Sequence, residues 1–230
     1  MALDKFNINE RGITVSLEKM NDFFTTRVEG YDEHMRKNVK GCKEGYVKMA
    51  KLIPENAENL LDLGCGTGLE LDEIFKIKPY IKVTGIDLTK AMLDKLKQKH
   101  SDKSLTLIND NYFNYKFSES HFDVAVSFQT MHHFSHHDKI NLYTKVYHAL
   151  KSGGQYIECD YMVLNQKEED YYYSENSRIR KELNINENEF YHYDTPCTIN
   201  NQINMLYMAG FKLVKKIWRE ENTTLIIASK

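Results

Sequence analysis

The sequence has no closely spaced cysteines, no apolar run long enough to cross a bilayer, no charge excess of either sign and no internal repeat. Each absence removes a class of function. Cys42, Cys65, Cys159 and Cys197 are far apart and form no C-x-x-C pair, so small buried apolar residues are expected ahead of a disulfide framework, and no spacing supports a metal-ligand reading. The formal net charge is -2, which lacks the clustered basic excess of a DNA-binding protein. A tRNA partner needs only a local basic patch and stays open. Met1 to Arg11 is polar and has no apolar h-region, which predicts no secretory signal. Without a membrane span either, the expected location is the cytoplasm.

What is present suits one enzyme-sized domain. The 230 residues are 41% hydrophobic and 28% charged, enough apolar material for a single core. The pattern is helical from about Leu17 to Leu52, with Gly30 as the expected joint and Pro54 as the stop. Strands are then expected at 60–64, 81–87, 105–108, 122–128 and 155–161, with helices from the glycine turn to Ile77, from an N-cap at Thr89 to Lys99, and from Asp138 to Leu150. This alternation predicts a doubly wound α/β fold with a mostly parallel sheet and helices on both faces. The last two strands, 211–218 and 223–229, are joined by too few residues for a parallel crossover, so the sheet must finish in an antiparallel hairpin. The expected organisation is a single domain, 1–230, with an N-terminal helical lid (1–55), a core (56–162), a cap insert (163–200) and a last helix with the hairpin (201–230).

Leu61-Asp62-Leu63-Gly64-Cys65-Gly66-Thr67-Gly68 carries the sharpest chemical signal. Glycines at alternating positions after a strand let the backbone turn tightly and approach a ligand where a Cβ would collide. The helix that follows turns its unpaired N–H groups toward that ligand. Asp87 ends the next strand, nineteen positions after Gly68. A carboxylate placed there accepts the hydroxyls of a ribose and marks an adenosine-bearing cofactor. The dinucleotide fingerprint G-x-G-x-x-G would need glycine at Leu69 and is not met.

Leu61 to Gly68 resembles motif I of the class I S-adenosylmethionine-dependent methyltransferases, and Gly85-Ile86-Asp87-Leu88-Thr89 resembles their ribose-binding segment. Phe122 to Ser127 followed by His132-His133-Phe134 is similar to their fourth strand and its sequel. Ala149 to Gly154 looks like the turn before their fifth strand, with Ser152 in place of the common proline. The resemblance implies a Rossmann-like seven-stranded sheet and S-adenosylmethionine as cofactor, with S-adenosylhomocysteine as product. It implies that Gly64, Cys65, Gly66 and Gly68 form the turn around the cofactor's amino-acid end and that Asp62 supports it. Asp87 would bind the ribose, and Leu88 and Met92 would flank the adenine. In Asn109-Asp110-Asn111-Tyr112, either Asp110 or, in a register shifted by one, Asn111 would meet the adenine amino group. Ser127 and Phe128 would lie where the fourth strand opens onto the sulfonium.

Methyl transfer from a sulfonium is an in-line displacement, so an enzyme must chiefly align the acceptor and exclude water. A base is needed only when the acceptor starts protonated. His132, facing the active site, is then the candidate, with His133 packed behind it. Tyr31, part of a Tyr-Asp pair that resembles one in the family's N-terminal helix, is expected either to touch the cofactor or to pack in an amphipathic helix. His132, His133, His136 and His137 have no carboxylate or cysteine at a recurring metal spacing, and no metal is expected. The aromatic segment 163–200 suits either a cap over the entrance or a dimer contact, so a monomer and a homodimer both stay open. The expected acceptor is a small molecule, because the fourth strand lacks the Asn/Asp-Pro-Pro-Tyr/Phe motif of enzymes that methylate base amines. The alternatives are an idle cofactor-binding regulator, a tRNA-modifying enzyme, and an enzyme making a modified sulfonium cofactor. The last would need a cationic group beside the methyl, which the sequence does not place.

Overall fold

A computed structural model describes residues 17–186 and 189–230, together with two short paired strands, β1 (Asn7–Asn9) and β2 (Gly12–Thr14). Apart from β1, the segment Met1–Arg11 lies outside the described residues. The main sheet contains β3 (Asn59–Leu63), β4 (Lys82–Asp87), β5 (Leu105–Asn109), β6 (Phe122–Phe128), β7 (Leu150–Tyr161), β8 (Leu213–Glu220) and β9 (Thr223–Ser229). Their order is β5-β4-β3-β6-β7-β9-β8. Every neighbouring pair from β5 to β7 is parallel, and β9 runs antiparallel between β7 and β8. The terminal hairpin is therefore as the short connection requires. Strand order reverses between β3 and β6, and a crevice opens at the carboxyl ends of strands on either side of such a switch point.

The central strands are apolar at successive positions because both of their faces are covered. Leu60, Val124, Val126 and Ile157 pack on one face with Met49, Leu71, Ile74 and Leu96. Leu61, Leu63, Ala125 and Tyr156 pack on the other with Leu142, Tyr143, Val146 and Leu206. Helices α2 (Cys42–Leu52), α3 (Leu69–Ile77) and α4 (Lys90–Lys99) supply the first set, α5 (His136–Ala149) and α7 (Ile199–Met208) the second, and α1 (Met20–Lys37) adds Met35 to one face and Met20 to the other. All four cysteines are free and buried.

The joint in the N-terminal helices lies at Gly41 instead of Gly30. α1 runs through Gly30, whose missing Cβ would meet nothing within 4 Å. Gly41 has φ +81°, and a Cβ there would approach Thr223 Cβ to 2.9 Å, so only glycine turns the chain there without strain. Thr223 Oγ donates to the Lys40 carbonyl at 2.7 Å and fixes this joint against β9. β7 begins five residues before its expected start because Leu150 pairs with Phe122, with an irregularity between Phe122 and Val124. α5 starts at His136, where the Ser135 hydroxyl accepts from Asp138 N. In the segment 163–200, α6 (Gln166–Glu182) is followed by a stretch that pairs with the start of α1. Met20 N donates to the Phe190 carbonyl and His192 N to the Glu18 carbonyl, both at 3.0 Å.

Asp123 ties the sheet together at its amino end. Its carboxylate accepts from Glu58 N, Asn59 N and Lys151 Nζ at 3.0, 2.9 and 2.6 Å. Burial pulls its pKa up, but the Lys151 ammonium and the two backbone N–H groups outweigh it and hold the group below its usual value. A depressed pKa contributes stability above the unfolded value, about 3.9, and the contribution disappears as pH falls through the folded pKa. Asp123→Asn is expected to lower urea stability at pH 7 by about 1–3 kcal/mol. The gap to the parent should close below roughly pH 4; a constant gap would refute the charge argument. Leu61→Ala, at a fully buried central position, should cost about 2–5 kcal/mol at all pH values.

Candidate functional site

β3 hands the chain to a turn in which Gly64, Gly66 and Gly68 all have positive φ, +69°, +47° and +74°. The turn is held by its neighbour strand: Gly64 N donates to the Ile86 carbonyl at 2.8 Å, and Gly66 N to Asp87 Oδ2 at 2.9 Å. The other Asp87 oxygen accepts from Thr89 N at 2.7 Å. Thr89 is the residue before α4, as its N-cap position predicts, but its side chain makes no capping bond to the helix. Burial raises the pKa of Asp87 despite the opposing hydrogen bonds from Thr89 and Gly66. A Cβ at Gly64 would strike Thr130 Oγ1 at 2.5 Å, and one at Gly68 would strike Leu96 Cδ1 at 2.3 Å. A Cβ at Gly66 would touch little, so its space opens toward the cavity.

α1 closes over this turn. Asp32 accepts from the Thr67 hydroxyl at 2.5 Å and from Lys99 Nζ at 3.1 Å, which brings Tyr31 to the cavity wall. Desolvation, reinforced by Glu70 and Asp87, pushes the Tyr31 phenol well above its ordinary range. Tyr31 is therefore a neutral donor. Below the turn, Asp62 is fully buried and neither of its oxygens meets an N–H or hydroxyl donor. What faces it is Glu70, whose pKa burial raises to about 7 while Asp62 opposes the rise; burial and Glu70 push Asp62 well above the usual carboxylate range. A buried carboxyl whose oxygens have no donor, with a second acid beside it next to a bare glycine turn, suits the ammonium of an amino-acid moiety.

The cavity opens to solvent, and the space within it, open solvent included, is about 640 Å³. Gly64, Gly66, Asp87, Leu88, Met92, Asp110, Asn111, Tyr112 and Phe128 line it, as does Tyr31. Cys65 and Gly68 line a smaller adjoining hollow with Tyr46 and Glu70. Asp110 and Asn111 both reach the wall. The Asn111 side-chain oxygen accepts from Phe113 N at 2.9 Å, and Asp110 Oδ1 accepts from Asn111 N at 2.7 Å. Ser127 is not on the wall; it is buried beneath the sheet surface, where its hydroxyl pairs with Tyr156 at 2.6 Å.

The histidine pair is arranged opposite to expectation. His133 lines the cavity, while His132 stands outside the lining with Nδ1 on Asp160 at 2.5 Å. Burial, with His132 and His192 beside it, holds the His133 imidazole well below its ordinary pKa. Met20, Phe24, Thr130, Phe134 and Phe190 complete the wall. Their contribution had no local signal, because α1 and the segment after α6 meet the core only in three dimensions.

A family model described as a methyltransferase domain matches residues 60–154, the stretch that carries the glycine turn, Asp87 and the histidine pair. That match and the fold make the chain similar to the class I S-adenosylmethionine-dependent methyltransferases. It is an enzyme of S-adenosylmethionine-dependent methyl transfer. Among its relatives, the carboxy-S-adenosyl-L-methionine synthase of Campylobacter lari is 25% identical over 228 residues, covering 93% of this chain and 96% of that one. The enzyme of the same name from Nautilia profundicola is 26% identical over 231 residues, again covering 93% and 96%. In fold, the chain is similar to human N-acetylserotonin methyltransferase, solved with its cofactor, at a TM-score of 0.65 and 16% identity. That likeness covers 91% of this chain, which spans 56% of the human enzyme's length.

In this methyltransferase, Asp87 accepts two backbone N–H bonds and faces the cavity at once. Asp87→Ala should weaken S-adenosylmethionine binding by about 1.5–3 kcal/mol, read by calorimetric titration. Unchanged affinity in a folded variant would remove Asp87 from the ribose site.

Proposed function

We propose that this methyltransferase acts on a small, uncharged acceptor of aromatic or otherwise apolar character. The observation that carries this reading is the cavity wall. Met20, Phe24, Phe113, Phe134 and Phe190 form one side of it, and no Lys or Arg lines it among the described residues. Apolar walls bind apolar surface, and no Lys or Arg on this wall is available to pair with a carboxylate of the acceptor.

When bound, the cofactor supplies a methyl group already activated by its sulfonium. The chain's part is to bind, orient and desolvate. In this reading the Gly64–Gly68 turn and the Asp62–Glu70 pair receive the amino-acid end, and Asp87 accepts from the ribose. Leu88 and Met92 flank the adenine, and Asp110 or Asn111 accepts from its amino group. Tyr31 and Phe128, the latter stacked on Tyr46 at 4.0 Å, bound the methyl-bearing side. Ser127 acts only through Tyr156. The raised pKa of Tyr31 makes it a hydrogen-bond donor to cofactor or acceptor, and His132 stands behind the wall as a positioning residue. We place the enzyme in the cytoplasm, where four buried thiols remain reduced. No helix among the described residues is long and apolar enough to cross a membrane.

The names of the bacterial relatives motivate a second reading, formation of a carboxylated sulfonium cofactor. The absence of a lining cation disfavours it. Both are tested by mass spectrometry of the protein incubated with S-adenosylmethionine and panels of phenols, heteroaromatic amines and small carboxylic acids. The expected result is S-adenosylhomocysteine formed with a phenol or heteroaromatic amine. A cofactor heavier by a carboxylate, formed with an acid from the panel, would replace this reading with the second. Phe190→Ala should raise the KM for the active acceptor about tenfold or more, since a lost ring contact costs about 1.5–3 kcal/mol. Cofactor affinity should hardly change.

A further inference from the structure

The buried polar cluster behind the cavity has an arrangement that the methyl-transfer reading does not use. Asp160, on β7, accepts from Met131 N and Tyr161 N, each at 2.6 Å. His132 Nδ1 lies 2.5 Å from the same carboxylate. Its other ring nitrogen, Nε2, faces Asp194 Oδ1 at 3.8 Å. These side chains are 9% and 17% exposed, so an ion held between them would be largely screened from water. His133 Nδ1 stands 3.6 Å from the same Asp194 oxygen. The three ligand atoms of His132, His133 and Asp194 all lie within 4.8 Å of one another.

We propose that His132, His133 and Asp194 bind a divalent ion of the zinc class, which clamps the segment after α6 to the wall of the cofactor cavity. Two imidazole nitrogens and one carboxylate are a borderline donor set that suits Zn²⁺ over Mg²⁺ or Ca²⁺, which prefer oxygen. Zinc bonds of about 2.0–2.1 Å put tetrahedral ligands about 3.3–3.4 Å apart, so the two contacts to Asp194 close by a few tenths of an ångström. Asp160 supplies the outer-sphere carboxylate that orients a metal-bound imidazole. Thr195, next to Asp194, anchors that segment by donating N–H and hydroxyl to the His132 carbonyl at 2.6 and 3.1 Å. His133 Nδ1 gives up its 3.2 Å hydrogen bond to the Tyr193 carbonyl, and the ring proton moves to Nε2. Asp160 and Asp194 neutralise the two charges of the ion, so the apolar character of the cavity is retained. The spacing in sequence hid this set, because Asp194 comes 61 residues after His133.

The test uses the full chain stripped with chelator, dialysed and titrated calorimetrically with ZnCl2. One ion per chain is expected, with a rise in Tm on zinc addition. Asp194→Asn should lower the affinity about 100-fold or more, and Asp160→Asn, which leaves all three ligands in place but removes the carboxylate on His132, about 10–100-fold. His137→Ala, on the same helix as His136 but outside the cluster, should bind as the parent does. Co²⁺ in place of Zn²⁺ should give the visible absorption of a four- or five-coordinate site in the parent and not in Asp194→Asn. No zinc binding by folded, stripped parent would overturn the proposal. Binding unchanged in Asp194→Asn would also overturn it, by placing the ion elsewhere. S-adenosylmethionine titrated into the same stripped protein separates the outcomes: intact cofactor binding without zinc binding sinks this inference alone.

Discussion

The cofactor site depends on one carboxylate, that of Asp87. One of its oxygens holds Gly66 N and the other holds Thr89 N, so a single side chain ties the first strand-to-helix turn to the second. Without it, the middle of the three left-handed glycines, Gly66, would lose the side chain that fixes its N–H. The neighbouring elements assemble on this tie. Asp32 and Lys99 grip Thr67 from α1 and α4, and Tyr31 is carried to the cavity as a consequence. The acids that surround the turn are desolvated, and a positively charged or hydroxyl-rich ligand would relieve that cost.

The parts of this arrangement that rest on local chemistry were legible in the sequence. The strand, the glycine turn and Asp87 are contiguous or separated by one helix, so their spacing alone implies their contact. The antiparallel ending followed from the shortness of the connection before Thr223. The rest depends on distant segments meeting. Gly30 and Gly41 look alike in sequence, and only the approach of Thr223 decides which of them must be glycine. The identity of the wall histidine was reversed because Asp160, 28 residues away, draws His132 out of the cavity. Ser127 was misplaced for a similar reason: Tyr156 on the neighbouring strand holds its hydroxyl. Phe190 reaches the cavity only because its carbonyl accepts from Met20 at the start of α1.

Buried acidity extends beyond the cofactor turn. Glu158 lies fully inside the sheet with its pKa raised to about 8, by burial and by Asp160, against the pull of Lys139 and of hydrogen bonds from Tyr143 and Tyr156. These groups share one layer beneath β7 with the histidine cluster. Polar networks of this kind specify one packing arrangement when satisfied and are costly when broken.

The bond between Thr223 and the Lys40 carbonyl has a temporal meaning as well. During translation, the α1–α2 joint emerges long before the strand that locks it. The helices that bring Tyr31 to the cavity thus lack their anchor until β9 has been made and has entered the sheet beside β7. A nascent chain halted within α7 would hold the glycine turn and Asp87, yet its N-terminal helices would still be waiting for their latch.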